Sequence, residues 1–314
     1  MIKSELCEIL GIKYPIIQGG MAWAGTAELA SAVSNAGGLG MLGAGVMSPA
    51  RIKEEIKKTK ERTDKPFGVN IYYLSPDVNE LVDVVIEEAV PVITTGAGNP
   101  GKDISKLKDA GIKVLPVVAS VALARRLARL AVTALIAEGM EGGGHVGELT
   151  TMAMLPQMAQ AVEIPLVAAG GIADGRGLAA AFALGARGVQ MGTRFLCSEE
   201  CIAHPNFKQA VIEATDRSTI VTARNSGHPV RVLKNRLSRR FAQLEAEGVS
   251  KEELMKIGEG ALRAAVIDGD VNGGSLMAGQ IAGLIKEIKP VKEIIEEITA
   301  DAEGIIKRMG HLVH

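Results

Sequence analysis

The segment Thr133-Ala-Leu-Ile-Ala-Glu-Gly-Met-Glu-Gly-Gly-Gly-His-Val-Gly147 joins an apolar run to a glycine-rich loop that contains one histidine. The apolar run, Thr133–Ala137, is typical of a buried parallel strand. Because glycine has no Cβ, the loop lets backbone amides approach a ligand closely. Imidazole is the side chain best suited to proton transfer near neutral pH. The segment therefore predicts a strand that ends at a ligand site, with His145 as its acid–base residue.

The same unit, an apolar strand followed by a helical pattern, recurs between Pro15 and Phe195. Its period of roughly 25 residues and its eight repeats predict a parallel (β/α)8 TIM barrel of the α/β class. An open doubly wound sheet is the rival fold, but it would carry G-x-G-x-x-G after the first strand, where Gln18-Gly-Gly-Met21 stands instead. The strands are expected to begin near Pro15, Gly40, Pro66, Pro91, Lys113, Thr133, Pro165 and Gly188. The helices between them are expected over Ala27–Ala36, Pro49–Arg62, Asn79–Glu88, Ile104–Ala110, Val121–Leu130, Thr151–Val162 and Gly175–Leu184.

The repeat ends after Phe195, and a different organisation follows. We expect residues 1–203 to form the barrel, residues 204–274 a small, mostly helical cap inserted after the eighth strand, and residues 275–314 C-terminal helices that return to the barrel. Ser250 and Glu253 form a capping-box pattern at the start of a helix predicted over Ser250–Val266. Two further helices are predicted, over Leu276–Ile288 and Val291–Met309.

Composition and charge exclude several classes of protein. A formal net charge of −1 over 314 residues argues against a nucleic-acid-binding protein. Three cysteines are too few for a disulfide framework, and Cys197, Cys201 and His204 match no common zinc spacing, so we expect no metal. The N-terminus lacks a signal-peptide core, and no apolar run reaches the ~20 residues of a membrane span. We therefore expect a cytoplasmic protein with no membrane contact.

Two more glycine loops follow the last two predicted strands, at Gly170-Gly171 and at Gln190-Met-Gly-Thr193. Barrel enzymes often bind phosphate at these two loops, where backbone amides and a hydroxyl such as that of Thr193 are available. Taken alone, each loop is equally a tight turn that needs glycine for its geometry. The pair, in consecutive units, predicts a phosphate-bearing cofactor beneath His145.

Other polar residues have two readings each. Asn70 and Glu138 end predicted strands, so they are candidates to hydrogen-bond a planar heterocycle, but a strand cap and a partner for a nearby cation are the alternatives. His204 and His228 both precede proline, which favours turn or cap roles with a smaller chance of substrate contact. The basic residues between Arg231 and Arg240 are either a solvated face or a site for an acidic carrier or a phosphate-bearing substrate.

These motifs resemble those of the FMN-dependent enoyl-acyl-carrier-protein reductases of type II, which share a superfamily with the nitronate monooxygenases. The resemblance covers nearly the whole chain. Two departures are Gly142, where the reductase loop is expected to have alanine, and the segment Phe241–Ser250, which is shorter than in typical reductases. The motifs that carry it are Gln18-Gly-Gly-Met-Ala-Trp23, Lys65-Pro-Phe-Gly-Val-Asn70, Thr94-Thr-Gly-Ala-Gly-Asn-Pro100, Glu138-Gly-Met-Glu-Gly-Gly-Gly-His145, Ala168-Ala-Gly-Gly-Ile-Ala-Asp-Gly175, Gln190-Met-Gly-Thr-Arg-Phe195 and Gly269-Asp-Val-Asn-Gly-Gly-Ser-Leu-Met-Ala-Gly-Gln280.

The resemblance implies that FMN lies at the barrel mouth and that NADH or NADPH is the co-substrate. It implies an enoyl thioester on acyl carrier protein or CoA as substrate, with the hydride added to its β-carbon. His145 would then protonate the α-carbon, or stabilise the enolate oxygen before protonation. A homodimer is expected. In the alternative reading, as a nitronate monooxygenase, His145 contacts a nitronate and oxygen reoxidises the flavin; a non-catalytic barrel would not need this histidine. The implied cofactor contacts are Gly20, Met21, Asn70, Glu138, Gly143, Gly170, Gly171, Gln190, Met191, Gly192, Thr193, Met277, Gly279 and Gln280.

Overall fold

A computed structural model describes residue 2 and residues 4–225 and 227–311 of the chain. The barrel strands begin within two residues of the predicted positions. In chain order the strands are β1 (Ile16–Gln18), β2 (Gly40–Gly43), β3 (Phe67–Tyr72), β4 (Val92–Gly96), β5 (Lys113–Val118), β6 (Leu135–Glu138), β7 (Gly144–His145), β8 (Leu166–Ala169), β9 (Gly188–Met191), β10 (Thr219–Thr222) and β11 (Val230–Leu233).

Eight of these strands pair in parallel in the order β1-β9-β8-β6-β5-β4-β3-β2. The ring closes between β1 and the start of β2. There the Gln18 amide donates to the Leu39 carbonyl, and the Leu39 amide donates to the Ile16 carbonyl, each at 2.9 Å. The predicted (β/α)8 TIM barrel is confirmed.

The helices surround the barrel and cover its outer face. The barrel helices were predicted with ends that agree to within two residues, since each amphipathic run is bounded by caps or turns. In chain order the helices are α1 (Glu5–Leu10), α2 (Ala27–Asn35), α3 (Pro49–Arg62), α4 (Val78–Glu87), α5 (Ile104–Asp109), α6 (Val121–Ala128), α7 (Thr151–Ala161), α8 (Gly175–Ala183), α9 (Thr193–Leu196), α10 (Pro205–Ile212), α11 (Arg236–Ala246), α12 (Lys251–Gly258), α13 (Ala261–Val266) and α14 (Val291–Gly310), with 3₁₀ turns at Ala44–Val46, Pro100–Lys102 and Gln280–Leu284.

The barrel interior is packed with branched aliphatic side chains at the end where the strands begin. Ile17, Val92 and Ile136 point inward and share one buried cluster with Leu6 and Leu10 of α1. The N-terminal helix therefore closes this end of the barrel. Because the bottom is filled, the site must lie at the opposite end, where the strands finish.

The segment after Phe195 is less helical than predicted. β10 and β11 form an antiparallel hairpin, and β11 also pairs with β7, the two-residue strand that contains His145. The hairpin was missed because its strands, at four residues each, are too short to give a clear period-2 pattern. The division into 1–203, 204–274 and 275–314 stays a prediction, and residues 1, 3, 226 and 312–314 of those ranges lie outside the described residues.

Two helix predictions after the barrel need correction. Ser250 caps α12 as predicted, by accepting a hydrogen bond from the Glu253 amide at 3.3 Å, but the helix breaks at Gly260, whose φ of 71° is left-handed. The helix predicted over Leu276–Ile288 is wrong, and only a 3₁₀ turn at Gln280–Leu284 forms there. Backbone groups of this segment bond to the barrel loops instead, which an α-helix would not allow.

The final helix, α14, was predicted closely and packs on the barrel. A Cβ on Gly175 of α8 would lie 2.4 Å from the Asp301 Cβ, so glycine permits the close crossing of α8 and α14. No helix in the described part of the chain is long and apolar enough to cross a membrane.

Candidate active site

A cavity of about 450 Å³ opens where the barrel strands end. This volume lies within the range of pockets that bind small molecules and cofactors. All but one of the predicted site residues line its wall: Gly20, Met21, Asn70, Glu138, Gly143, His145, Gly170, Gly171, Gln190, Met191, Gly192, Thr193, Met277 and Gly279. Gln280 is the exception. Its side chain is exposed, and only its amide reaches the site's surroundings by donating to the Glu141 carbonyl at 2.9 Å.

The loop after β1 meets the end of β3 without room for a side chain. A Cβ on Gly20 would lie 2.2 Å from the Asn70 Cβ, so only glycine fits. Asn70 is held by the Thr94 hydroxyl, which donates to its Oδ1 at 2.8 Å. The Asn70 amide group is therefore fixed at the cavity wall rather than serving as a simple strand cap.

Both predicted phosphate loops lie on one side of the cavity. Gly170 and Gly171 have φ values of 82° and 78°, so both adopt the left-handed conformation that favours glycine. At Gly170 a Cβ would also lie 2.6 Å from the Gly139 carbonyl oxygen, which packs this loop against the histidine loop. Gly192 and Thr193 follow β9 and complete this wall.

Burial affects two polar side chains at the cavity wall, one through its pKa and the other through an unpaired oxygen atom. Burial raises the pKa of the Glu138 carboxyl to about 7. The Oε1 atom of Gln190 is buried and accepts no hydrogen bond from the described residues. Because buried polar atoms are normally paired, a ligand with hydrogen-bond donors, such as a heterocyclic ring, fits this wall.

His145 is held by backbone pairing with the hairpin. β7 pairs with Val230 and Arg231, and the next amide, that of Val146, donates to the Pro229 carbonyl at 3.0 Å. The imidazole is exposed to the cavity. Desolvation by the surrounding protein lowers its pKa, and the charge of His228 lowers it further.

Two other rings lie close to the His145 ring. The Tyr72 ring lies 5.9 Å away between centroids, with a 33° angle between planes. The His228 ring lies 6.4 Å away and is nearly perpendicular, at 87°. A turn or cap role was favoured for His228 over substrate contact, but the structure brings it to the same cavity wall as His145. His204 is a helix cap, as one reading held, because its Nδ1 accepts from the Asn206 amide at 3.1 Å.

A buried network fixes the histidine loop, and sequence reasoning missed most of it. The Glu141 carboxylate accepts hydrogen bonds from the Thr151 amide at 2.8 Å and from the Thr151 hydroxyl at 3.0 Å. Arg231, 4% exposed, donates from Nε to the Met140 carbonyl and from Nη1 to the Thr219 hydroxyl, each at 3.0 Å. Arg231 is therefore not part of a solvated face, whereas Arg239 and Arg240 are exposed on α11.

The C-terminal segment 277–280 crosses directly over the histidine loop. A Cβ on Gly143 would lie 2.6 Å from the Ala278 carbonyl carbon. The Gly279 amide donates to the Thr193 hydroxyl at 3.0 Å. This segment therefore ties the histidine loop to the loop after β9.

A second, larger cavity of about 800 Å³ lies beside the first. Tyr72, His145, Leu262 and Met277 line both cavities. The remaining wall is mostly apolar and comes from the hairpin, the helices α11 and α12 and the loop after β3. Its apolar members include Leu74, Val230, Val232, Leu237, Phe241, Leu254 and Met255. The two spaces meet at His145.

The cysteines take no part in either cavity. Burial raises the pKa of the Cys197 thiol to about 12, and burial also raises the pKa of Cys201, which keeps both as thiols. Among the described residues, no group of three or more His, Cys, Asp or Glu side chains could hold a metal ion.

Comparison with known proteins identifies the family. The family model for nitronate monooxygenase matches residues 3–301. The chain belongs to the nitronate monooxygenase family. It is similar to the structure of FabK from Thermotoga maritima, at 50% sequence identity and a TM-score of 0.98, with 100% of both chains covered. This family member is therefore an enzyme, a flavin-dependent oxidoreductase.

Two curated relatives cover almost the whole chain. One, from Mycobacterium tuberculosis, is a dehydrogenase of a hydroxy-methyl-oxo-octahydroindene-carboxyl-CoA; it is 36% identical over 99% of each chain. The other, named "Probable nitronate monooxygenase", is from Staphylococcus saprophyticus and is 33% identical over 98% of this chain and 99% of its own. This family member thus resembles both CoA-ester dehydrogenases and nitronate monooxygenases.

Proposed function

We propose that this protein is an FMN-dependent enoyl-acyl-carrier-protein reductase that uses NADH or NADPH to reduce the 2,3 double bond of an enoyl thioester. The observation that carries the proposal is the pair of joined cavities, a small glycine-walled one and a large apolar one, with His145 at their junction. The full-length similarity to FabK, an enoyl-acyl-carrier-protein reductase of type II, supports it.

The small cavity has the features that FMN requires. Gly170, Gly171, Gly192 and Thr193 would hold the phosphate through backbone amides and one hydroxyl. Gln190, with its unpaired buried Oε1, would accept a hydrogen bond from the heterocyclic ring. Asn70, Glu138, Gly20 and Met21 would contact the rest of the ring and its ribityl chain. When bound, FMN supplies the two-electron redox chemistry.

His145 would supply the proton that completes the reduction. Its imidazolium would donate a ring N–H proton to the α-carbon of the substrate, which leaves the imidazole neutral until it takes a proton from solvent. The lowered pKa of His145 makes the imidazolium a stronger acid, which favours this transfer. Pairing of β7 with β11 keeps the ring in place while substrate enters and leaves.

The large cavity would receive the acyl chain and part of the carrier arm. An apolar wall of this extent favours an aliphatic chain, because each buried CH₂ contributes about 0.8 kcal/mol. A small nitronate would leave most of the large cavity unfilled. The dehydrogenase relative that acts on a carboxyl-CoA also supports a thioester substrate.

Nitronate monooxygenase is the second candidate function. The family model and the relative from S. saprophyticus support it, and the small cavity with His145 would suit a nitronate. The organisation as an FMN-binding barrel, a cap over the mouth and a returning C-terminal segment serves either function. We also propose a homodimer, which the mass from light scattering would test.

Anaerobic assays of the purified yellow protein separate the two functions. As a reductase, the protein should consume NADH or NADPH only when a short enoyl-CoA is added, and propyl-2-nitronate should reduce its flavin slowly. Rapid flavin reduction by propyl-2-nitronate without nicotinamide, with no enoyl-dependent oxidation of NADH or NADPH, would contradict the proposal.

A further inference from the structure

A second histidine faces the acid–base residue across the junction of the two cavities. The His145 and His228 ring centroids are 6.4 Å apart. Even with a nitrogen of each ring on the line between centroids, the gap exceeds the ~3 Å of a direct N–H···N hydrogen bond. One water molecule spans such a gap with two hydrogen bonds of ordinary length.

His228 is fixed relative to His145 by the backbone between the hairpin strands. The Val146 amide donates to the carbonyl of Pro229, the residue next to His228. Val230, two residues after His228, pairs directly with His145. The two backbone segments that carry these imidazoles are therefore held together by the same short ladder.

Both rings line the large cavity, but only one of them also reaches the small cavity. His145 lines both cavities, whereas His228 lines only the larger one among the cavities described. With substrate in place, the open side of His145 would be covered, so its proton would have to be replaced from the side of the large cavity. His228 lies on that side.

Few other titratable groups could deliver that proton. Tyr72 stacks near His145, but burial raises its pKa, which makes it a weak proton donor at neutral pH. Glu138 lies deeper, at the end of β6. The carboxylate of Glu141 is committed to Thr151, and the guanidinium of Arg231 to Met140 and Thr219. Lys251, Lys256 and Glu259 also line the large cavity, but they come from the α12 region, which does not pair with the strand that bears His145.

We propose that His228 is a proton-relay residue that acts through His145. After each turnover, a protonated His228 passes its ring proton through one bridging water to the neutral ring of His145, and His228 is then reprotonated by solvent in the large cavity. The two imidazoles exchange one proton, so charge is conserved across the pair. This relay rests on the proposed reductase function.

The direct test compares His228→Ala and His228→Gln with wild-type holoenzyme in steady-state reduction of a short enoyl-CoA. We expect kcat to fall by about tenfold or more, less than the 10²–10⁴-fold expected from loss of the acid itself, with flavin content unchanged. Because a positive neighbour is removed, the pKa of His145 should rise, and the high-pH limb of kcat should move to higher pH. Added imidazole should restore turnover to His228→Ala, which leaves space for it.

A matched control is His204→Asn, since this histidine also precedes proline but caps α10 away from both cavities, and asparagine caps equally well. It should keep wild-type kcat and show no response to imidazole. If His228→Ala stays within twofold of wild type with an unmoved pH limb, or loses turnover that imidazole does not restore, the relay is wrong. If wild-type enzyme itself fails to reduce enoyl thioesters, the proposed function and the relay both fail.

Discussion

Replacement of Arg231 by methionine should separate the positioning of His145 from the binding of the cofactor. Arg231 is the buried cation that connects β11 to the histidine loop, through the Met140 carbonyl, and to β10, through the Thr219 hydroxyl. Hydrogen bonds from a charged donor contribute about 1.5–3 kcal/mol each to stability. Removal of the buried cation also removes its desolvation cost, which offsets about half of the combined contribution of the two bonds. We therefore expect Arg231→Met to lower the free energy of unfolding by about 1.5–3 kcal/mol, or Tm by about 2–5 °C at this chain length.

Arg231→Met should also lower kcat, by more than the loss of stability alone would explain. The substitution removes the side-chain hydrogen bond to the Met140 carbonyl, which anchors the loop that bears His145, and a displacement of about 1 Å can cost on the order of 10²-fold in rate. Thermal unfolding by circular dichroism and steady-state kinetics of the flavin-loaded protein measure both quantities. The control is Arg239→Met, because this side chain is exposed on α11 and should change Tm by under about 1 °C. Equal Tm and kcat in the two variants would refute this account of the buried arginine.

Four further outcomes are expected. His145→Ala should retain flavin and lose about 10²–10⁴-fold in kcat, measured by NADH or NADPH consumption. Thr193→Val should weaken FMN binding by about tenfold in a fluorescence titration, because it removes one hydroxyl from the phosphate wall. Gly170→Ala should lower Tm more than Gly111→Ala, since both have positive φ but only Gly170 would clash with backbone. Glu138→Gln should stabilise the flavin-free protein at pH 8 by about 1–2 kcal/mol in urea unfolding.

The sign of the Glu138 prediction follows from the raised pKa of its carboxyl. Since that pKa is about 7 in the folded protein, the protonated form is favoured, and its contribution is full below the ordinary carboxyl pKa and lost as pH rises through 7. The stability of wild type should therefore fall between pH 5 and pH 8 more than that of Glu138→Gln. If the stabilities of wild type and Glu138→Gln changed equally with pH, this prediction would be wrong. A loss of kcat below tenfold would contradict the prediction for His145→Ala, and an unchanged FMN affinity would contradict that for Thr193→Val. Equal Tm values for Gly170→Ala and Gly111→Ala would contradict the prediction for the glycines.

The barrel was predictable because its signals are local. Each strand is a short apolar run and each helix has a cap or a turn at its ends, so boundaries such as Pro49–Arg62 can be read directly. The glycines and His145 could be assigned to one mouth, since a closed barrel brings all strand ends together. Segment 277–280 was assigned to the site only through the family resemblance, because the barrel pattern does not predict that this segment lies at the barrel mouth.

The parts that escaped prediction depend on contacts between distant segments. The β10–β11 hairpin gains its stability by pairing with Gly144 and His145, more than 70 residues earlier in the chain. The burial of Arg231 depends on the same pairing, and its spacing in a basic segment gave no sign of it. The predicted helix over Leu276–Ile288 fails because Gly279 and Gln280 bond to Thr193 and Glu141 across the cavity.

An anaerobic single turnover is the most direct measurement of the central claim, that His145 protonates an enoyl thioester above a flavin held by the glycine loops. Holoenzyme would be reduced with one equivalent of NADH or NADPH, freed of nucleotide, and mixed with a short enoyl-CoA. The account predicts rapid return of the oxidised flavin spectrum with one saturated thioester formed per flavin, and a much slower return in His145→Ala. A flavin that stays reduced until oxygen is admitted, or an equal rate in the variant, would contradict it.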